Sequence, residues 1–157
     1  MSAKGLIRID AIDIWEAYGM FVMSGTNDLL KMPARKEPIT HDWQDSNGLD
    51  VDTSRVFFEA RDISLKMGFK SGNLTDFWDK YTKFLSLMAK PYLRRLEIVE
   101  FGKSYFVYYK SCSDYKRYKK VVNDSICEFT LVLSEPNPQI DSSPTFIIDE
   151  AGRFLIT

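Results

Sequence analysis

Histidine and cysteine are scarce in this sequence. There is one His, His41, and there are two Cys, Cys112 and Cys127, in 157 residues. Three such residues cannot supply a four-ligand zinc site of the Cys/His type. A two-Cys, one-His site would need a carboxylate or an open fourth position, and the cysteine spacing fits no metal motif. One disulfide between the two would be possible, but nothing marks a secreted protein. Apolar runs are short, none approaching the ~18 residues of a membrane span. The N-terminal run Leu6-Ile7-Arg8-Ile9-Asp10 is too short and too charged for a signal peptide, so synthesis in the cytoplasm is the default expectation. The motifs Gly-x-x-x-x-Gly-Lys-Ser/Thr, Gly-x-Gly-x-x-Gly and Gly-x-Ser-x-Gly are all missing, which argues against a standard nucleotide enzyme or a serine hydrolase. His41, beside Asp42 and Trp43, reads as a loop residue with local hydrogen bonds rather than a general base. No catalytic residue, cofactor-binding residue or metal ligand is expected, no cofactor, and no enzyme. Neither sign of charge dominates, and the net charge of −1 implies no strongly charged partner for the chain as a whole.

What is present is globular. Apolar residues make 45% of the chain and charged residues 27%, which excludes disorder for most of it. The length suits one domain that buries roughly 70% of its unfolded surface without a staple. Aromatic content reaches 14%, with eleven Phe and eight Tyr, and favours a β-rich fold.

Residues 4–9 read as a short strand, Ile12 to Tyr18 as a turn of helix, and Gly19 to Met23 as a strand stopped by Ser24-Gly25-Thr26-Asn27-Asp28. Another helical turn is expected between Asn27 and Met32. Residues 33–54 read as extended and poorly periodic, within a long loop 25–54 whose only large anchor is Trp43. Val56 to Phe69 is the clearest strand, alternating cleanly only from Asp62 onward. Leu74, Phe77, Trp78, Tyr81, Phe84, Leu85 and Met88 recur at steps of three and four, so 74–89 is an amphipathic helix packed on a sheet. Asn73 is its expected N-cap, and Pro91 lies just past its end. Leu93 to Glu100 and Lys103 to Lys110 read as a hairpin turning at Phe101-Gly102, followed by a second pair, Ser111 to Val121 and Ile126 to Leu133. Residues 135–144 are a linker by composition, and Phe146 to Ile148 with Phe154 to Ile156 form a small C-terminal hairpin arm. The expected class is mainly β (α+β): an antiparallel sandwich or roll over 1–134 with one flanking helix, then the linker and arm of 135–157.

Two clusters invite chemistry. Asp42, Asp45, Asp50 and Asp52 are close in sequence, but an EF-hand started at Asp42 would need a closing Glu where Thr53 stands, and Gly48 falls one place late. A solvated acidic loop is the better reading. Residues 90–120 carry nine Lys or Arg against three acids, interleaved with eight aromatics. The stretch 103–120, and within it Tyr115, Lys116, Arg117, Tyr118, Lys119 and Lys120, could hold single-stranded nucleic acid by phosphate contact and base stacking. Edge strands that carry Lys to block pairing explain the same composition more simply.

The segment Met32-Pro33-Ala34-Arg35-Lys36-Glu37-Pro38, followed by Asp42-Trp43-Gln44-Asp45 and Gly48-Leu49-Asp50-Val51-Asp52, resembles tail proteins of phages and prophages of the Bacteroides group, of the tail-tube and distal-tail type. Val56 to Met67 with its Arg61-Asp62-Ile63 centre, the helix around Phe77 to Leu85 and the Phe101-Gly102-Lys103-Ser104-Tyr105 hairpin extend the likeness over residues 10–134. The cysteines and the basic run at 116–120 lie outside the pattern. The resemblance implies a structural subunit, tail-tube-like in fold, that assembles into a homo-oligomeric hexameric ring around a DNA channel. DNA would pass without sequence-specific contact, the partners would be other tail proteins, and no membrane would be involved. The location would be the virion tail, after synthesis in the bacterial host cytoplasm. Asp42, Trp43, Asp45 and Asp50 would then belong to a loop anchor and assembly interface, with Trp43 as the anchor and Asp42 and Asp45 holding backbone donors around it.

Overall fold

Seven antiparallel strands make one sheet in the computed structural model, which describes residues 4–119, 125–140, 147–148 and 154–155. In chain order the elements are β1 (Ile7–Ile9), β2 (Ile12–Asp13), α1 (Ile14–Tyr18), β3 (Met20–Ser24), a 3-10 turn (Thr26–Leu29), β4 (Thr40–His41), β5 (Asp50–Val51), β6 (Arg61–Ser71), α2 (Leu74–Met88), β7 (Arg94–Ile98), a second 3-10 turn (Val99–Phe101), β8 (Lys103–Lys119), β9 (Ser125–Glu135), β10 (Ile147–Ile148) and β11 (Phe154–Leu155). The sheet order is β2-β1-β7-β8-β9-β6-β3, while β4 with β5 and β10 with β11 form separate two-stranded ladders. The described part of the expected C-terminal hairpin is present, with Ile147 opposite Leu155. The protein is mainly antiparallel β, as its sequence predicts, but carries two helices, α1 being the short aromatic turn at Ile14–Tyr18.

Alternation decides the core. On β6, Ile63, Leu65, Met67 and Phe69 face one way; on β9, Leu133, Leu131, Phe129 and Cys127 stand directly opposite them, and all eight are buried. α2 covers this face with Phe77, Phe84, Leu87 and Met88. The Asn73 side chain caps α2 by accepting from Asp76 N at 2.8 Å, which satisfies one of the donors a helix start leaves unpaired. The other face of β6 presents Ser64, Lys66 and Lys70 to solvent. There Gly68 lies under the Phe21 ring, where any Cβ would come within 2.4 Å of the ring.

Three expectations change. β6 starts at Arg61, not Val56, and residues 56–60 belong to the preceding excursion. The segment from 103 to 119 is one strand, not the second arm of one hairpin and the first of another. Its first part pairs with β7 and the remainder with β9. Two bulges, at Tyr109/Ser111 and Ser113/Lys116, interrupt its alternation, and Asp114 takes φ +54° at the second. The long loop, read as extended, is paired with itself into short ladders, as described next.

Candidate assembly surfaces

Residues 34–59 leave the sheet as a two-stranded arm. Glu59 N donates to Ala34 O at 2.8 Å, Lys36 N to Phe57 O at 2.8 Å and Asp52 N to Ile39 O at 2.9 Å. β4 and β5 pair His41 with Asp50 near the tip. Every side chain from 34 to 59 is exposed except those of Pro38 and Phe58. Ile39, Trp43, Leu49, Val51, Val56 and Phe57 are therefore large apolar groups in water. Trp43 is 52% exposed and meets the His41 ring edge-on at 3.9 Å. Among the described residues its one ring–ring contact is this one with His41. Asp42, Asp45 and Asp50 are exposed, and among the described residues the carboxylates of Asp42 and Asp45 hold no backbone donor. The carboxylate that does so is Asp52, which accepts from Ser54 N at 2.9 Å; its bonds with Ser54 hold its pKa below the ordinary value.

The root of the arm, in contrast, is fixed. Arg61 opens β6 and Glu135 ends β9, opposite each other. Each continues the inward parity of its strand, so an ion pair replaces the next apolar pair, with side chains only 11% and 6% exposed. Glu135 accepts from Arg61 Nε at 2.9 Å and again from Nη2. Arg61 Nη1 donates to the Leu29 and Lys31 carbonyls at 2.9 and 2.7 Å, and the guanidinium lies 5.8 Å from the Tyr105 ring centroid. A desolvated pair holds only if its remaining hydrogen-bonding groups are satisfied, and here the satisfying carbonyls belong to the chain just before the arm. Asp28 adds a second tie, accepting from Ser64 N at 3.2 Å and Lys31 Nζ at 2.6 Å. The Lys31 and Ser64 bonds keep the Asp28 carboxyl below its ordinary pKa. This joint was not anticipated from the sequence; the available signal was a charge at an inward-facing strand position on both β6 and β9.

A recess of about 350 Å³ opens between α2 and β8, lined by Tyr81, Leu85, Met88, Tyr109, Cys112 and Leu131. It adjoins a wider groove of about 820 Å³ that shares Met88 and Tyr109 and adds Lys90, Tyr92 and Arg94. Cys112 is an exposed free thiol, whereas Cys127 is buried. Burial against the recess, then the Asp114 carboxylate, raises the Cys112 pKa.

The basic-aromatic stretch is divided between two faces. Tyr115 turns toward α2, stacked on Phe129 at 6.1 Å and close to Tyr81, with its hydroxyl donating to Cys127 Sγ at 3.3 Å. Burial first, and the Cys127 bond second, push its phenol well above the ordinary value. Arg117 lies 5.2 Å from the Phe77 ring centroid on the same side. On the opposite face Tyr118 donates to Glu128 at 3.4 Å, and Lys116 stands opposite Glu128 in register. Lys119 closes β8; its side chain and Lys120 lie outside the described residues. Tyr115 and Arg117 thus spend their ring and guanidinium on intramolecular contacts, and the four described side chains, Tyr115 and Arg117 against Lys116 and Tyr118, divide between two faces. Among the described residues no cluster of three or more His, Cys, Asp or Glu is placed to hold a metal, and no helix is long and apolar enough to cross a membrane.

No family model matches the chain, and no curated protein matches it by sequence. Among solved structures it is similar to the Dit protein (gp 19.1) of phage SPP1, described as a paradigm of the hub adsorption apparatus in phages infecting Gram-positive bacteria. The TM-score is 0.58 at 13% identity, over 85% of this chain and 52% of that one. The chain spans about half the length of that neighbour, and what the two share is the fold.

Proposed function

We propose that the protein is a structural subunit of a phage or prophage tail, of the tail-tube or distal-tail kind. Its work is assembly rather than catalysis. Copies join head to tail, close into a ring, by family resemblance a hexamer, and surround a DNA channel without reading its sequence. A head-to-tail contact closes into a ring when its rotation allows, and rings can stack on further tail proteins. In this reading residues 1–134 form the tail-tube-like domain, while 135–157 are a linker and a C-terminal arm. The chain is made in the host cytoplasm, takes no cofactor and ends in the virion tail.

The observation that carries the reading is the conjunction of a distal-tail type of fold with an arm whose apolar side chains find no cover in their own chain. Exposed large apolar side chains gathered along one arm are the kind of surface a partner covers. The test is the molar mass by light scattering after size exclusion across a range of concentrations, with negative-stain images of the same fractions. Six-fold rings or short tubes are expected. A monomer in every fraction would overturn the reading.

A further inference from the structure

The arm and the recess have complementary chemistry. Residues 37–52, the outer part of the arm, hold five carboxylates, Glu37, Asp42, Asp45, Asp50 and Asp52, and no Lys or Arg. The recess beneath α2 and its adjoining groove carry Lys90 and Arg94 and no carboxylate in their lining. Arg94 is already committed, giving Nη1 to Asp10 at 2.8 Å and Nη2 to the Pro91 carbonyl; Lys90 makes no ion pair among the described residues and is the cation of the rim. An acidic surface with one large aromatic at its centre thus faces the requirement of a basic-rimmed, apolar hollow.

Both halves are unfilled within one chain. Trp43 stands in water, and the recess is open. At about 3.3 Å per residue, the arm from its Arg35–Phe58 bridge to His41 reaches about 20 Å from its root. A two-stranded ribbon without a covered face is marginal in water, so a surface that covered the arm would add to its order. Buried aromatics ringed by polar contacts dominate protein interfaces.

We propose that Trp43 of one copy seats in the recess between α2 and β8 of a second copy, walled by Tyr81, Leu85, Met88, Tyr109 and Cys112, with Asp42 and Asp45 facing Lys90. The contact is head to tail, as the ring of the preceding subsection requires, and rests on that reading. It assigns the arm a specific acceptor and places a native thiol in its wall.

Cys112 supplies the probe. In dilute, dissociated protein a maleimide reaches it freely. In the assembled fractions its labelling slows at least ~10-fold, whereas Trp43→Ala protein labels at the dilute rate whatever its concentration. In a second experiment Gln44→Cys protein, which keeps Trp43, gives a ladder of linked copies when treated with a short bis-maleimide. The ladder disappears when Cys112→Ser is added; buried Cys127 does not replace it. Light scattering on the same samples separates the two levels of the argument. Assembly with unprotected Cys112 and no ladder overturns the seat while leaving the ring. No assembly at any concentration overturns both. Protection that appears only after another tail protein is added overturns the second copy as occupant.

Discussion

β6 and β9 pair over eleven residues each and bury one continuous apolar face under α2. β4 and β5 pair over two residues each, and all four of those residues are exposed. Both ladders use the same backbone hydrogen bond, yet only the first is stabilised by burial, at about 25 cal/mol per Å² of apolar area removed from water. The contrast teaches where this chain is complete and where it is not. The body closes its own core. The arm carries side chains of the same kind as a core, Trp43, Leu49, Ile39 and Phe57, without one. Arg61 is the joint between the two, since one guanidinium holds Glu135 of the body and the carbonyls of Leu29 and Lys31 that lead to the arm.

Substitutions should separate the two regions, and the largest effect belongs to the joint. Arg61→Ala leaves the Glu135 carboxylate buried without its partner, and breaking such a pair costs ~3–5 kcal/mol. Urea unfolding should show that loss, and a midpoint unchanged from the native protein would refute the joint. Gly25 comes next. It sits at φ +103°, and an added Cβ would lie 2.0 Å from the Ser64 carbonyl oxygen, a backbone atom that cannot swing aside. Gly25→Ala should destabilise by roughly 2 kcal/mol or more, seen as a lower thermal midpoint.

A smaller effect tests the second tie. The Asp28 carboxyl has a folded pKa below its ordinary 3.8, owing first to Lys31 and then to Ser64. A depressed folded pKa means that the unfolded chain takes up protons first as the pH falls. Its contribution is therefore complete above the unfolded pKa and is lost as pH drops through the folded value. Asp28→Asn should cost under ~1 kcal/mol at neutral pH, because the Lys31 end of the pair is open to solvent. The difference from native protein should shrink as the pH is lowered below about 4 in parallel urea titrations. The smallest stability change is expected on the arm itself. Trp43→Ala should shift the stability of dilute protein by no more than ~0.5 kcal/mol, because the ring is exposed there. The same variant should lose the assembled species by light scattering. A large stability loss without loss of assembly would reverse the roles given to arm and body.

The same contrast sets how much could be read from the sequence. α2 was legible to within a residue because its apolar positions repeat over four turns and Asn73 punctuates its start. The inner half of β6 was legible from Ile63 onward for the same reason, a long one-sided period. Val56, Phe57 and Phe58 looked like its beginning because they have the composition of a strand; their broken alternation was the sign that they lie on the arm. β8 reads as two strands in sequence because two bulges shift its parity, and a bulge at a non-glycine residue such as Asp114 leaves no composition signal. The arm's ladders are too short to show any period. Of the residues proposed for assembly, Trp43 was conspicuous by size, but its exposure was not, and the recess proposed to receive it draws on α2, β8 and β9 at positions far apart in sequence.

Hydrogen exchange, read residue by residue at low and at assembling concentration, tests the contrast most directly. The amides of Lys36, Asp52 and Glu59, all hydrogen-bonded within the arm, should exchange fast in dilute protein and become protected on assembly. Those of Leu65, Met67 and Phe129 in the body should be slow in both. Arm amides as protected as those of β6 in the dilute, dissociated chain, or still unprotected in the assembled one, would contradict an arm that is completed by a neighbour.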